Sequence, residues 1–493
     1  MTARVIIIGA GMAGVAAAIK LREAGFDDLV IYEKADRLGG TWRENTYPGA
    51  ACDVPSHLYS YSFAPNAEWT HVFSPGQEIC SYLERVAAEQ GVTDRIVFGA
   101  EVTRLERREG LWHLNTADGR QDRAAVVIAA TGVLHHPAYP DIEGLDDFGG
   151  PVFHSARWDH DVALDGARVG VIGTGSSAVQ ITGALVDRVA DYVLFQRTPQ
   201  WILPVPNPSI SEADRLRFRA EPEVMTTLRE ELAVQFTAGF ADAVVDAESP
   251  AAHHLEELCR AHLDQSVSDP VLHQQLLPGY RAACKRLVVS PDFYAAIQAP
   301  NARLVTAAID RVEAGGVRTA DGVLHELDVL VLATGFRVDR FLRPMTVMGR
   351  DGVELDQVWA QRPSAYLSVS VPGFPNLFLL NGPNGPVGNF SLIDVVERQL
   401  DYVIQLLDRV SDVGDADICA RNEAAERFEK ERVEAAGRTI WVTGCRSWYL
   451  DDRGVPAAWP WTMQRFREAM AVPAFEDFEL TGGDRRQPDA VTA

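Results

Sequence analysis

A β-branched run, RVIII, opens onto Gly9-Ala-Gly11-Met-Ala-Gly14, and an alanine-rich stretch follows as far as Gly25. Strand, tight glycine turn and helix in direct succession constrain this chain more than any other feature. The glycines permit the turn and let a pyrophosphate approach the backbone, while the helix N-terminus offers it free N–H groups. A second strand, LVIYE, ends on Glu33, nineteen residues past Gly14, where an acid would hold the two hydroxyls of a ribose.

The same unit recurs further on. Residues 169–172 form a strand, Gly173-Thr174-Gly175-Ser176-Ser177-Ala178 the turn, and YVLFQ the next strand. Nineteen residues past Ala178 stands Arg197, not an acid. An acid would repel a 2′-phosphate, whereas an arginine can clamp it in a bidentate pair. The first turn is therefore expected to take a nucleotide with a free ribose and the second NADP, although Arg197 alone also reads as a solvated surface arginine. Two dinucleotide folds imply two cofactors. If NADPH occupies the second, FAD is the natural hydride acceptor for the first.

Two further strands, AAVVIAATG (124–132) and LDVLVLATGF (327–336), both end in Ala-Thr-Gly and read as seams where one fold is inserted into the other. The expected architecture is α/β, with two Rossmann-like dinucleotide-binding domains, the NADP domain inserted into the FAD domain. The FAD domain would comprise 1–140 and 326–480, and the NADP domain 141–325. Residues 51–139 read as short β segments with turns. A helical excursion is expected at about 207–290, an amphipathic helix at 391–410, and a frayed tail at 481–493.

The 493 residues carry 46 basic and 69 acidic side chains, a net charge of −23, which disfavours nucleic acid as a partner. No stretch approaches the ~20 apolar residues of a membrane span, and the N-terminus reads without a signal peptide. The six cysteines (52, 80, 259, 284, 419, 445) lack Cys-x-x-Cys spacing. That argues against structural zinc and a dithiol redox pair, and no metal site is expected. So few cysteines in so long a chain do not suggest a disulfide scaffold, so a reducing cytoplasm is expected.

Several motifs together resemble the flavin-dependent monooxygenases of the Baeyer–Villiger type (type I, class B), over nearly the whole chain. FGGPVFHSARWD matches that family's fingerprint at Phe148, Gly150, His154, Trp158 and Asp159. GGTWRENTYPGAACDVPSHLYSYSF (39–63) resembles its flavin-cradling segment. QRTP (196–199) resembles its NADP phosphate clamp, CKR (284–286) its Lys-Arg pair at the flavin, and SWY (447–449) the loop whose Trp closes over NADP. The resemblance implies FAD held by Gly9, Gly11, Gly14, Glu33, Gly40, Thr41, Trp42, Asp53, Tyr59 and Val102. It implies NADP held by Thr174, Gly175, Ser176, Ser177, Gln180, Arg197, Thr198, Lys285, Arg286 and Trp448. His154 would pack at the domain junction without acting as a base, and Gly150 would let the linker bend.

The implied cycle reduces flavin with NADPH, traps O2 as a peroxide at flavin C4a, and lets that anion attack a small neutral or apolar ketone, giving an ester or lactone. An anionic oxygen must be stabilised without being protonated, which favours a permanent cation. Arg286 is the expected catalytic residue, with Asp53 as its orienting carboxylate. Asp53 alone also reads as a turn residue, Lys285-Arg286 as a solvated pair, Trp448 as core and His154 as an ordinary buried histidine. An N- or S-oxygenating flavoprotein and an uncoupled NADPH oxidase or flavin reductase stay open as alternatives. A monomer or weak homo-oligomer is expected.

Overall fold

The computed structural model describes residues 3–388, 390–413 and 416–482. Two five-stranded parallel sheets organise it. The first runs Leu377–Leu379, Val126–Ala129, Val5–Ile8, Leu29–Tyr32, Ile96–Val97. The second runs Ala302–Val305, Asp191–Phe195, Arg168–Ile172, Val329–Leu332, Val152–His154. In each, the strand that feeds a glycine turn is central, flanked by the strand that follows its helix and by the strand that ends in Ala-Thr-Gly. Their near-continuous β-branched sequences suit parallel strands covered on both faces. Val5, Ile6 and Ile7 are fully buried, as are Val169 and Val171.

The seam at 327–336 differs from the sequence expectation. Val329–Leu332 pairs with Arg168–Ile172 and Val152–His154, so it belongs to the second sheet. The chain re-enters the first sheet only at Leu377–Leu379. An Ala-Thr-Gly ending marks a strand beside a glycine turn, and each sheet needs one of its own.

Residues 51–139 are also less uniformly β than expected. Val102–Arg108, Leu111–Thr116 and Gln121–Ala124 do form an antiparallel meander, joined by Thr346–Met348. Ahead of it, however, Gly76–Glu89 is a helix. Its buried Ile79, Tyr82, Leu83, Val86 and Ala87 follow the helical period against the first core.

The helical excursion comprises Glu212–Ala220, Pro222–Phe236, Pro250–Ser266 and Pro270–Leu276. Ser211, Ser249 and Asp269 cap three of these by accepting backbone N–H groups, and proline opens three at a position whose N–H needs no helical partner. The helix expected at 391–410 is Leu392–Val413. It packs in the first core with Met12–Glu23, and Lys20 Nζ meets Asp401 at 2.8 Å. Of the expected tail, Thr481 lies in the strand Phe478–Thr481 and residues 483–493 fall outside the described residues.

Candidate active site

A cavity of about 1230 Å³ lies where the two sheets' C-terminal edges face each other, the place where ligands bind in open α/β sheets. It exceeds the ~300–1,000 Å³ usual for one small ligand. Both glycine turns line it, and their glycines divide the labour in the same way. A Cβ on Gly9 (φ +101°) would sit 2.6 Å from the Ala130 carbonyl oxygen, and one on Gly173 (φ +124°) 2.2 Å from that of Ala333. These first glycines are imposed by the neighbouring Ala-Thr-Gly strand. Gly11 and Gly175 are different. A Cβ on Gly11 would meet only Gly40 Cα, at 3.5 Å, and one on Gly175 nothing within 4 Å. Their bareness faces open cavity, as a close-approaching pyrophosphate requires. Gly14 does not line the cavity. A Cβ there would fall 1.8 Å from the Gly9 carbonyl oxygen, so it serves helix docking.

Glu33 is 4% exposed and lines the cavity. Its carboxylate accepts from Ala10 N (2.7 Å), Ala35 N (3.0 Å) and Arg43 Nη1 (3.1 Å), which ties the acid to the glycine turn itself. Gly40, Thr41, Trp42, Asp53, Tyr59 and Val102 line the same end, and Trp42 Nε1 donates to Tyr59 OH at 3.2 Å.

Arg197 corrects one detail of the sequence reading. Counting from the glycine turns aligns it with Glu33, but strand pairing does not. Ile8 pairs with Tyr32 and Ile172 with Phe195, so Gln196 is the counterpart of Glu33 and Arg197 comes one residue later. From the first glycine of the turn to that strand end the second unit is one residue shorter, its helix Ser176–Leu185 being shorter than Met12–Glu23. Gln196 is buried and donates to the Gln275 carbonyl, whereas Arg197 is exposed at the cavity. Lys285 lies close enough that the Arg197 charge adds to burial in pulling the Lys285 pKa down. Neither forms an ion pair among the described residues, which leaves two cations free for an anionic group. Thr174, Gly175, Ser176, Ser177, Gln180 and Thr198 complete this end.

Arg286 stands on the wall between the two ends. One guanidinium nitrogen donates to Asp53 Oδ2 and the other to the Gly388 carbonyl at 3.1 Å. A third of its side chain stays open to the cavity. Burial opposes its charge, but the Asp53 carboxylate outweighs burial and holds its pKa above the ordinary value. Tyr449, which the sequence reading did not single out, completes the setting. It is 3% exposed, its hydroxyl faces Arg286, and burial pushes its pKa up to about 12 despite that cation. A Cβ on Gly388 would collide with the Tyr449 hydroxyl at 2.0 Å. Trp448 is 37% exposed and lines the cavity, so it is not core.

None of the fingerprint residues lines the cavity. Phe148 is core packing for the second sheet. Gly150 is required by contact, not by bending, because a Cβ there would lie 2.2 Å from the Asp328 carbonyl oxygen. His154 is fully buried; its Nδ1 accepts from Ala156 N at 3.1 Å and its ring packs against Tyr139 and Phe336, on the two crossing linkers. Burial pulls its pKa down to about 4, leaving it neutral. Trp158 stands edge-on to Phe153, and Asp159 is exposed, accepting from Asp161 N.

Contacts between the two halves were also not legible. Tyr47 OH donates to Gln180 Oε1 at 2.8 Å, and Gln180 Nε2 to the Ala51 carbonyl at 3.1 Å. Arg43 pairs with both Glu33 and Glu44, and Glu44 pairs with Arg157 of the fingerprint stretch, an ionic chain from one glycine turn to the linker. The cysteine expectation needs correction as well: Cys284 and Cys445 form a disulfide, 161 residues apart in sequence. Spacing along the chain could not show that the fold brings them together.

A paired dinucleotide fold around one cavity is the architecture of an oxidoreductase that works with two nucleotide cofactors. Residues 6–251 match the family model described as pyridine nucleotide-disulphide oxidoreductase. An uncharacterised monooxygenase of Mycobacterium tuberculosis is 47% identical over 479 residues, 97% of this chain and 96% of that protein. A Baeyer–Villiger monooxygenase of Streptomyces coelicolor is 41% identical over 472 residues, 94% and 90% of the two chains. Cyclohexanone monooxygenase from Rhodococcus sp. Phi1, solved with NADP+, superposes with a TM-score of 0.86 at 30% identity, covering 97% of this chain and 99% of that one. OTEMO in complex with FAD and NADP gives 0.87 at 27% identity, with the same coverage. The chain belongs to the type I Baeyer–Villiger monooxygenases, a group of class B flavin-dependent monooxygenases.

Proposed function

We propose that the protein converts small, uncharged ketones to esters or lactones, with Arg286 and Asp53 as its catalytic pair. It is an FAD- and NADPH-dependent oxidoreductase of the Baeyer–Villiger type. The observation that carries the catalytic assignment is Arg286, paired to Asp53 and partly open to a cavity that both glycine turns line. FAD, when bound, supplies the hydride acceptance and dioxygen activation that side chains cannot.

The chain's own residues divide the remaining work. The turn and helix N-terminus at residues 9–14 hold the flavin nucleotide's pyrophosphate, with Glu33 at its ribose. Thr174 to Ser177, Gln180 and Thr198 seat NADP, with Arg197 and Lys285 on its 2′-phosphate. Arg286 places a charge that does not deprotonate beside the ketone oxygen, where negative charge develops as the carbonyl becomes tetrahedral. It therefore stabilises that oxygen without protonating it. Asp53 keeps the guanidinium in place and offsets the cost of its burial. Val54 and Val387, neighbours of Asp53 and Gly388, put apolar surface on the cavity wall, which suits an uncharged substrate.

The test is a panel of linear, cyclic and aromatic ketones beside sulfides, with NADPH and air, read by mass spectrometry for one added oxygen. Esters or lactones from ketones are expected. Oxygenation confined to the sulfides would defeat the proposal.

A further inference from the structure

Two stretches of chain meet at the active-site wall. Cys284 directly precedes Lys285 and Arg286, and Cys445 directly precedes Arg446, Ser447 and Trp448; all five following residues line the cavity. The second stretch has little else to fix it. Among the described residues no backbone N–H from Gly444 to Tyr449 bonds to another backbone group, and of its carbonyls only those of Ser447 and Tyr449, at the far end, accept from Leu450 N and Ala457 N, so backbone pairing does not fix the residues next to Cys445. Ser447 Oγ is buried without a hydrogen-bond partner. What holds the stretch is the disulfide at one end and, at the other, the packing of Tyr449 and the bond from Ala457 N to its carbonyl, with Ile440 and Trp441 against Ala282, Ala283 and Leu287. Cys284 and Cys445 are themselves almost fully buried, at 0% and 6% exposure.

We propose that the Cys284–Cys445 disulfide is a positioning crosslink for the reaction, seating Trp448 and Tyr449 against Lys285 and Arg286. The proposal rests on the function proposed above, in which Arg286 stabilises the reacting oxygen and Lys285 and Trp448 contact NADP. One covalent tie then registers the NADP-facing and the oxygen-transfer sides of the cavity to each other. Without it the irregular stretch must be ordered each time NADPH binds, a cost that preorganisation removes. NADPH should bind more weakly, and more of its reducing equivalents should leave as hydrogen peroxide.

The experiment begins with thiols counted in denaturant on the purified holoenzyme. Four are expected before reduction, and six after a dithiol has passed two electrons and two protons to the bridge and left as its own cyclic disulfide. Six before reduction would overturn the proposal. Next, Cys445→Ala and the Cys284→Ala/Cys445→Ala double variant are compared with the unmutated enzyme well below their melting temperatures. The expected result is retained FAD, little change in kcat for NADPH oxidation, a KM for NADPH raised roughly tenfold, and a larger share of hydrogen peroxide. A disulfide that only stabilised the fold would lower Tm and move neither KM nor the peroxide share, and that outcome overturns the proposal.

Native-state trypsin cleavage after the exposed Arg446 gives a readout independent of turnover. Cleavage should quicken in the variants, and unchanged cleavage counts against the crosslink. KM for NADPH and cleavage are read without any ketone, so they test the crosslink even if the ketone panel fails. Should the alanine variants not fold, the dithiol-reduced holoenzyme, verified at six thiols, carries the same three measurements.

Discussion

Arg286 is set apart from most of the protein's arginines by where it is held. Its carboxylate partner and a backbone carbonyl fix two corners of the guanidinium, and the rest faces the cavity. Removing one preorganised electrostatic stabiliser costs about 100- to 1000-fold where charge develops in a transition state. Arg286→Ala should lose ester formation by that factor while NADPH still reduces the flavin, so the variant should release hydrogen peroxide. Stopped-flow reduction beside product analysis checks this; ester at the unmutated rate would remove Arg286 from the mechanism. Arg197 belongs to the same scale. A charge-assisted hydrogen bond is worth about 1.5–3 kcal/mol, roughly 10- to 150-fold. Arg197→Glu should erase or reverse the preference for NADPH over NADH in steady-state kinetics and leave FAD binding intact. The residue type at this position was legible in the sequence. Its register was not, because a one-residue difference between glycine turn and strand end shows only in the pairing of Ile172 with Phe195. Tyr449 escaped for another reason: only the fold brings its hydroxyl to Arg286.

At the scale of elements, glycines of one sequence pattern carry different physical loads. Gly175 lines the cavity with no protein atom within 4 Å of a would-be Cβ, so Gly175→Val should fold with an unchanged urea midpoint and lose NADP binding by calorimetry. Gly150 faces the Asp328 carbonyl at 2.2 Å from its would-be Cβ. Gly150→Ala should therefore cost about 1–3 kcal/mol of stability as backbone shifts to relieve the overlap. A Gly150→Ala midpoint equal to the unmutated one would show that the edge strand Val152–His154 yields freely. Both glycine turns, their helices and the strands after them were readable from period and punctuation. Helix Gly76–Glu89 was readable too, from its i, i+3, i+4 apolar spacing, but neighbouring β-rich sequence masked it. The membership of Val329–Leu332 was not readable, since an Ala-Thr-Gly ending names a kind of strand and not the sheet that takes it.

At the scale of the whole molecule, the two sheets are joined by linkers that pass against histidines kept neutral by burial. His154 meets Tyr139 and Phe336 on those linkers, and His135 Nε2 donates to the Phe341 carbonyl at 3.2 Å. His57 lies elsewhere, in the first half, edge-on to Phe218 of the helical excursion. Burial is the leading cause in each case and pulls each pKa down to about 4. In the unfolded chain they titrate near 6.5. Between those values the unfolded state binds protons that the folded state refuses, so acid favours unfolding. Their contribution to stability is complete above about pH 6.5 and shrinks as pH falls towards 4. The limiting slope is about 1.4 kcal/mol per pH unit for each histidine. The fold could not be read for this from sequence, because burial depends on Tyr139, Phe218, Phe336 and Phe341 arriving from distant segments. Tm of the holoenzyme, followed from pH 7.5 to 4.5, should stay level and then fall below about pH 6.5. His154→Gln removes one titrating group while keeping a polar side chain at the junction. It should lower Tm at pH 7.5 and fall less steeply with acid, so that the two curves converge. Parallel curves would mean that His154 takes up its proton inside the folded protein, and that the junction admits more water than its full burial implies.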